Sequence, residues 1–225
     1  MGVDYILSML AKECPVCGFE ESMVMMVQED LLYYLCPSCI CLFTPCIPDN
    51  VLVTENDNPE DRNTDDKMFI RSSTLIEWNH FPNPVFYDFG CGNGEFSEFL
   101  RSRLDDLYGP GECSVLRYDK DYANPPEKYS DGSIHGIIMI EVIEHISEPT
   151  KLFAQFNRIL APDGFIYIES SYLNNMTKWN DHPYIDPKIG HCTIHSIQSM
   201  TKLASMFNMR YSKINSNIFI FRKIK

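Results

Sequence analysis

Three groups of residues in this chain have the types and spacings that chemistry requires. Cys14-Pro-Val-Cys17 and Cys36-Pro-Ser-Cys39 are two Cys-x-x-Cys pairs with residues 18–35 between them. Four thiolates so spaced close a tetrahedral Zn²⁺ site that has no open position and is therefore structural; the competing chemistry for such a pair is thiol–disulfide redox. Cys41 and Cys46 follow closely enough to exchange with Cys39 as ligand. The second group is Glu141-Val-Ile-Glu144-His145, two carboxylates and an imidazole projecting from one turn where a strand ends, with His191 and His195 much later, just before a helix. Ligands of open α/β sheets bind at that carboxyl edge.

The third group is a glycine-rich turn. Val85-Phe-Tyr-Asp-Phe89 reads as a short buried strand, Gly90, Gly92 and Gly94 follow at every second position, and Phe96, Phe99 and Leu100 continue at helical spacing. Such a strand, turn and helix lets a ligand approach the backbone where no Cβ intervenes, with the free N–H groups of the helix start above it. An ordinary connection between strand and helix would look similar. Ser114-Val-Leu-Arg-Tyr-Asp119 adds a second strand ending in a carboxylate, at the spacing where an acid meets a ribose hydroxyl pair, and so points to a nucleoside-type cofactor.

The elements that must position these groups can be read in outline. Met23–Val27 and Leu31–Leu35 can pair as a hairpin between the cysteine knuckles, and a ribbon with so small a core would be unfolded without its metal. Residues 1–47 form this module and residues 48–67 an acidic linker. Residues 68–225 form an α/β domain with a leading helix over Met68–His80, a buried strand over Ile137–Ile140, and a helix over Thr150–Leu160 stopped by Pro162 and Gly164. A strand over Phe165–Ser170, a helix over Ser196–Met206 and a closing hairpin within 211–222 complete it. With 44% apolar residues among 225 the chain supports a real core, and no run approaches the length of a membrane span. Asp4 stands where a signal peptide would carry basic residues, so a cytoplasmic protein is expected. Nine cysteines then suggest metal ligands or buried thiols, and a net charge of −12 disfavours, without excluding, nucleic-acid partners.

The turn Asp88-Phe-Gly-Cys-Gly-Asn-Gly94 differs from the dinucleotide fingerprint and resembles motif I of the class I S-adenosyl-L-methionine (SAM) methyltransferases. Ile137–Pro149 looks like the strand-four segment of that superfamily, and Arg158–Glu169 like the helix, Pro-x-Gly turn and strand that follow. The resemblance covers about residues 68–225. It implies a Rossmann-like, seven-stranded mixed sheet with helices on both faces, and SAM held by Asp88, Gly90, Cys91, Gly92 and Gly94 around its methionine end, Asp119 on the ribose, and Glu141. The third strand and the acid that commonly contacts adenine are compressed into Lys120–Gly132, and Ile134-His-Gly-Ile137 stands where Phe-Asp is common. The cysteine module followed by Leu42-Phe-Thr-Pro45 resembles N-terminal zinc modules of bacterial methyltransferases acting on sugars and other metabolites.

Two groups of SAM enzymes, the ubiquinone-pathway O-methyltransferases and the small-RNA 3′-terminal 2′-O-methyltransferases, carry a similar Glu-x-x-Glu-His with a later histidine that can hold a divalent cation near the acceptor hydroxyls. Glu141, Glu144, His145 and His191 match that pattern, and a mixed carboxylate and imidazole set suits Mg²⁺, Mn²⁺ or Zn²⁺. The same residues also read as the common signature of the superfamily without a metal. Methyl transfer from a sulfonium needs alignment and removal of a proton from the acceptor, and His191 or His195 can accept it. The implied activity is methylation of a small-molecule acceptor, at a sugar-like or phenolic hydroxyl. The rivals are 2′-O-methylation of RNA and a non-catalytic zinc-ribbon interaction protein.

Overall fold

The computed structural model describes residues 12–28, 31–45, 63–120, 128–173, 182 and 184–225. Near the start, β1 (Met23–Gln28) and β2 (Leu31–Leu35) form the expected antiparallel hairpin, with a bulge between Val24 and Met26. β3 (Leu42–Phe43) pairs with β2. Most of the expected linker, together with Cys46, lies outside the described residues.

Helix α1 (Asp65–Trp78) starts earlier than its apolar positions suggest because Thr64 caps it, accepting from Lys67 N–H, and Asp65 and Asp66 complement the dipole of the first turn. There follow β4 (Val85–Phe89), α2 (Glu95–Tyr108), β5 (Ser114–Tyr118) and β6 (Ile134–Ile140), then a 3₁₀ turn over Ile143–His145. Next come α3 (Pro149–Ile159), β7 (Leu160–Glu169), β8 (Thr193–Ile194), α4 (Ile197–Met206), β9 (Met209–Lys213) and β10 (Ile218–Lys223).

The main sheet has the order β5-β4-β6-β7-β10-β9. Its first four strands are parallel, β10 is antiparallel to β7, and β9 is antiparallel to β10. Six strands are present among the described residues instead of the seven that the resemblance implies. The additional strand would follow β5, where Asp121–Glu127 lie outside the described residues and the sequence Asn124-Pro-Pro126 offers no apolar run. A second difference concerns the end of α3. The expected helix is present, but in place of a separate turn and a strand from Phe165, β7 begins at Leu160 and includes Pro162-Asp163-Gly164. Asp163 takes the left-handed region at φ 69°, and Arg222 Nη1 donates to its carbonyl at 2.8 Å, fixing the distortion within the strand.

Alternation along the strands divides the core into two faces. Phe86, Ile138, Phe165, Tyr167 and Ile220 point to one side, where they pack with Met68 and Leu75 of α1 and Leu100 and Leu104 of α2. Tyr87, Phe89, Ile137, Met139, Ile166, Ile168, Phe219 and Phe221 point to the other, against Phe153 and Phe156 of α3 and Met200 and Leu203 of α4. Cys14, Val16, Tyr34, Cys36 and Phe43 of the cysteine module belong to this second core. The module's own sheet, β1-β2-β3-β8, takes its last strand from the C-terminal part of the chain, so the two parts share both a sheet and a core. No helix among the described residues is long and apolar enough to cross a membrane.

Candidate active site

The glycine turn leaves β4 at the carboxyl edge of the sheet. Its first peptides are tied to the neighbouring strand, with Gly90 N–H and Cys91 N–H both donating to Tyr118 O, at 2.7 and 3.0 Å. At Gly90, with φ 83°, a Cβ would come within 2.3 Å of the Val142 side chain. At Gly92, with φ 52°, a Cβ would meet nothing within 4 Å, so this glycine opens toward the space where a ligand can reach the backbone. Asp119 accepts from Gly92 N–H at 2.9 Å, which brings the predicted ribose acid onto the predicted loop.

Asp88 plays a different part. It is buried, and its Oδ2 accepts from Ser97 Oγ at 2.5 Å, bracing β4 to the first turn of α2. Burial pushes its carboxyl up to about 6 against the opposing pull of the Ser97 hydrogen bond and the Arg117 charge. Burial, with the charges of Asp88 and Asp119, likewise pushes the Cys91 thiol up to about 11, which leaves it protonated and unreactive at neutral pH.

Beyond β6, Glu144, His145 and His191 place one ligand atom each within 4.8 Å of one another. Glu144 is enclosed by donors: Tyr184 OH reaches its Oε1 at 2.7 Å, and Ser170 Oγ its Oε2 at 3.1 Å. Burial would raise its pKa, but His191, His145 and the Tyr184 hydroxyl together outweigh burial and hold it below the ordinary value. His191 Nδ1 lies 2.6 Å from the Tyr184 carbonyl oxygen, an acceptor that requires the proton on Nδ1. His191 Nε2 stands 3.9 Å from Glu144 Oε1. The His145 ring packs edge-on against His191 at 4.6 Å, and its Nδ1 is buried with no hydrogen-bond partner.

Glu141, the fourth residue of the matched pattern, is not in this cluster. Its N–H is spent on Glu169 O at 2.8 Å, and its backbone is left-handed at φ 51°. His195 stands apart as well. It is buried, its Nδ1 faces Ser199 Oγ at 3.1 Å across the start of α4, and burial pushes its pKa down to about 4. Of the two candidate bases, His191 is the one within the Glu144–His145–His191 cluster. Trp179 lies outside the described residues, and His182 Nδ1 accepts from Tyr184 N–H at 3.2 Å.

Two further residues support the site. Tyr184, which the sequence alone suggests as a wall of the substrate pocket, serves both sides of the cluster, through its hydroxyl on Glu144 and its carbonyl on His191. Arg71 forms a two-pronged pair with Glu169 at 2.8 and 2.7 Å, at the end of β7, and Tyr167 OH adds a donor to the same carboxylate at 2.8 Å. Arg71 escaped the sequence reading but did leave a trace: it falls between Met68 and Leu75 on the core-facing stripe of α1, where a charge needs a buried partner.

The four cysteines converge as their spacing requires. Cys14 Sγ lies 3.6 Å from Cys39 Sγ, and Cys17 Sγ lies 3.5 Å from Cys36 Sγ. Sulfurs around a tetrahedral zinc with bonds of about 2.3 Å stand roughly 3.8 Å apart, so the donor set fits that ion. Hydrogen bonds from Cys39 and Cys41 pull the Cys14 thiol down to about 2, while burial foremost pushes Cys36 up to about 11. One thiolate thus shares its charge with neighbouring S–H groups, and a dication would allow all four to ionise. Cys41 is buried beside them but is not in the metal-competent group, its thiol facing Leu42 O at 3.9 Å.

No curated protein sequence matches the chain. Among solved structures, it is similar to a chain from a Haloferax volcanii complex of the Trm112 methyltransferase activator, with 13% identity, a TM-score of 0.56, and coverage of 80% of this chain and 100% of that chain. It is also similar to the Burkholderia thailandensis 1,6-didemethyltoxoflavin-N1-methyltransferase, solved with S-adenosylhomocysteine, with 13% identity, a TM-score of 0.51, and coverage of 90% and 99%. At these identities the likeness is one of fold, that of SAM-dependent methyltransferases. A family model described as "Methyltransferase domain" matches residues 69–212. The match spans more than half of the chain and takes in the glycine turn, Asp119, Glu144 and His191, and the protein belongs to that methyltransferase-domain family.

Proposed function

We propose that the protein transfers a methyl group from SAM to a hydroxyl of a small molecule, sugar-like or phenolic. The observation that carries the reading is the placement of two unlike sites at the ends of adjacent parallel strands. The open glycine turn with Asp119 follows β4, and the buried Glu144–His145–His191 cluster follows β6. The methionine end of SAM would lie over Gly90, Gly92 and Gly94, with Asp119 on the ribose and Glu141 at the strand end beside it. Bound SAM would supply an electrophilic methyl group, its bond to sulfur breaking as a bond to the acceptor oxygen forms, with neutral S-adenosylhomocysteine as the leaving group. The acceptor proton would pass to the His191 imidazole, which the Tyr184 carbonyl holds through Nδ1, and Glu144 would balance the resulting imidazolium.

One carboxylate and two imidazoles also make a donor set for a divalent cation such as Mg²⁺ or Mn²⁺, and the orphaned Nδ1 of His145 supports that use. A bound cation would lower the pKa of the acceptor hydroxyl directly. The same cluster would serve 2′-O-methylation of RNA, but the net charge of −12 argues against a phosphate-rich acceptor. The four cysteines are read as a structural zinc site. None of the eight described cysteines is in a disulfide, in keeping with a cytoplasmic setting.

Calorimetry with SAM and S-adenosylhomocysteine tests the cofactor, and both are expected to bind. Binding of neither would leave a non-catalytic interaction protein. Assays with tritiated SAM against pooled metabolites and against short RNAs, each with and without EDTA, test the acceptor. Methylation of a metabolite is expected. Methylation of RNA abolished by EDTA and by His191→Ala would replace this reading with the RNA one.

A further inference from the structure

The cysteine module and the acidic cluster meet in one strand. β8 lies between His191 and His195 in the chain and closes the module's sheet, pairing Ile194 with Leu42 and Thr193 with Phe43 of β3. Hydrogen bonds continue the joint: Thr44 N–H donates to Cys192 O and Cys192 N–H to Glu144 O, each at 2.9 Å. At the far end of β8, Ser196 Oγ donates to the carbonyl of Cys39, itself one of the four cysteines, at 2.9 Å.

Tyr33 makes the contact that reaches a functional side chain. It belongs to β2 of the module, and its hydroxyl donates to the His191 carbonyl oxygen at 2.7 Å. The ring is fully buried in a small separate core that combines Met26 and Leu42 of the module with Leu173, Ile185 and Ile194 from around the cluster. A hydroxyl so deeply buried needs its partner, so this bond constrains where the His191 peptide can stand. His191 is then held at two points, its carbonyl by Tyr33 and its ring by Tyr184. The glycine turn is tied elsewhere, to Tyr118 and Asp119.

We propose that Tyr33 is a positioning residue for His191: by holding the His191 carbonyl it keeps the imidazole between Tyr184 and Glu144, so that the folded cysteine module sets the competence of the acidic cluster but not the binding of SAM. The placement of the ring stands on the hydrogen bonds alone. Its consequence for cation affinity rests on reading Glu144, His145 and His191 as a cation site.

The test uses the full chain with isotope-labelled histidine. The His191 Nδ1–H resonance is assigned by its loss in His191→Ala, and wild type is compared with Tyr33→Phe. The variant is expected to keep its zinc and its S-adenosylhomocysteine affinity, to lose the His191 Nδ1–H resonance to solvent exchange, and to bind Mn²⁺ about tenfold more weakly. An unchanged His191 resonance in Tyr33→Phe overturns the proposal. A lost resonance, with no Mn²⁺ bound by wild type, upholds the positioning role and removes the cation reading, so the two fail separately. Retained zinc and S-adenosylhomocysteine binding certify that Tyr33→Phe is folded, and Tyr33→Met, which also removes the hydroxyl while filling the buried apolar space, is the second arm should Tyr33→Phe not fold. There too the His191 resonance should disappear, and its persistence would overturn the proposal as well.

Discussion

The four-cysteine cluster and the Glu144–His145–His191 cluster both gather ligating side chains within 4.8 Å, yet they are built in opposite ways. The cysteines come as two knuckles on either side of one hairpin, they are alike, and their distances already match a closed tetrahedron. The other cluster combines a 3₁₀ turn after β6 with a residue beside β8, joins a carboxylate to two imidazoles, and depends on supports from further segments, Tyr184 and Ser170. A closed shell of identical ligands can only hold a fold together. A cluster that mixes a carboxylate with two imidazoles retains capacity for exchange of protons or ligands.

The most damaging way to break the closed cluster is Cys36→Ser. Because binding of structural zinc contributes on the order of 10 kcal/mol or more to such small modules, the variant should lose its single zinc and the cooperative melting of the β1–β3 region. Elemental analysis and calorimetric melting check this. Unaltered metal content and melting would mean that the four cysteines are not a zinc site.

His195 lies in the ground between the two clusters and gives the next largest effect. Its pKa falls from 6.5 to about 4 on folding, so the fold favours the neutral ring. That stability is fully present above pH 6.5 and is lost as pH falls toward 4, with a total of about 3 kcal/mol. His195→Gln should flatten this part of the profile of melting temperature against pH. Asp88 acts with the opposite sign, its stabilisation being lost as pH rises through about 6. The readout is therefore the difference between variant and wild type, and parallel profiles for the two would contradict the assignment.

Tyr184→Phe sharpens the picture of the open cluster. It removes the donor to Glu144 Oε1, and loss of a hydrogen bond to a buried carboxylate should cost about 2 kcal/mol in denaturant unfolding. Glu144 has a lowered pKa in the fold, so the cost should be largest above the carboxylate range and shrink as pH falls and Glu144 takes up a proton. A constant cost at every pH would exclude this cause. The smallest effect is expected on the cofactor side. Asp119→Ala should weaken S-adenosylhomocysteine binding by about 1.5 kcal/mol, roughly tenfold, by removing charge-assisted hydrogen bonds. It should leave zinc content unchanged, and calorimetry showing full affinity would remove Asp119 from the cofactor site.

Local patterns in the amino-acid sequence were enough for most of what depends on neighbours along the chain, the Thr64 cap of α1 and the early start of β7 at Leu160 being the exceptions. The two cysteine knuckles and their hairpin, the strand, glycine turn and helix around Gly90–Gly94, the acid at Asp119 and the amphipathic faces of α3 and α4 all follow from spacing, because the period of a strand or helix and the conformation of a turn are properties of short segments. Tertiary structure alone decided what meets across the fold. β8 is only two residues long and has no periodicity to read, yet it carries the module's sheet to His191 and His195. Glu141 matched its pattern by spacing, but the left-handed backbone at its own position and its hydrogen bond to Glu169 keep it out of the cluster that Glu144 enters. Arg71 finds Glu169, and Tyr33 finds His191, across sequence separations of 98 and 158 residues. Pairings of that kind are selected by burial, where each polar group left without a partner costs free energy, and burial belongs to the packed chain as a whole.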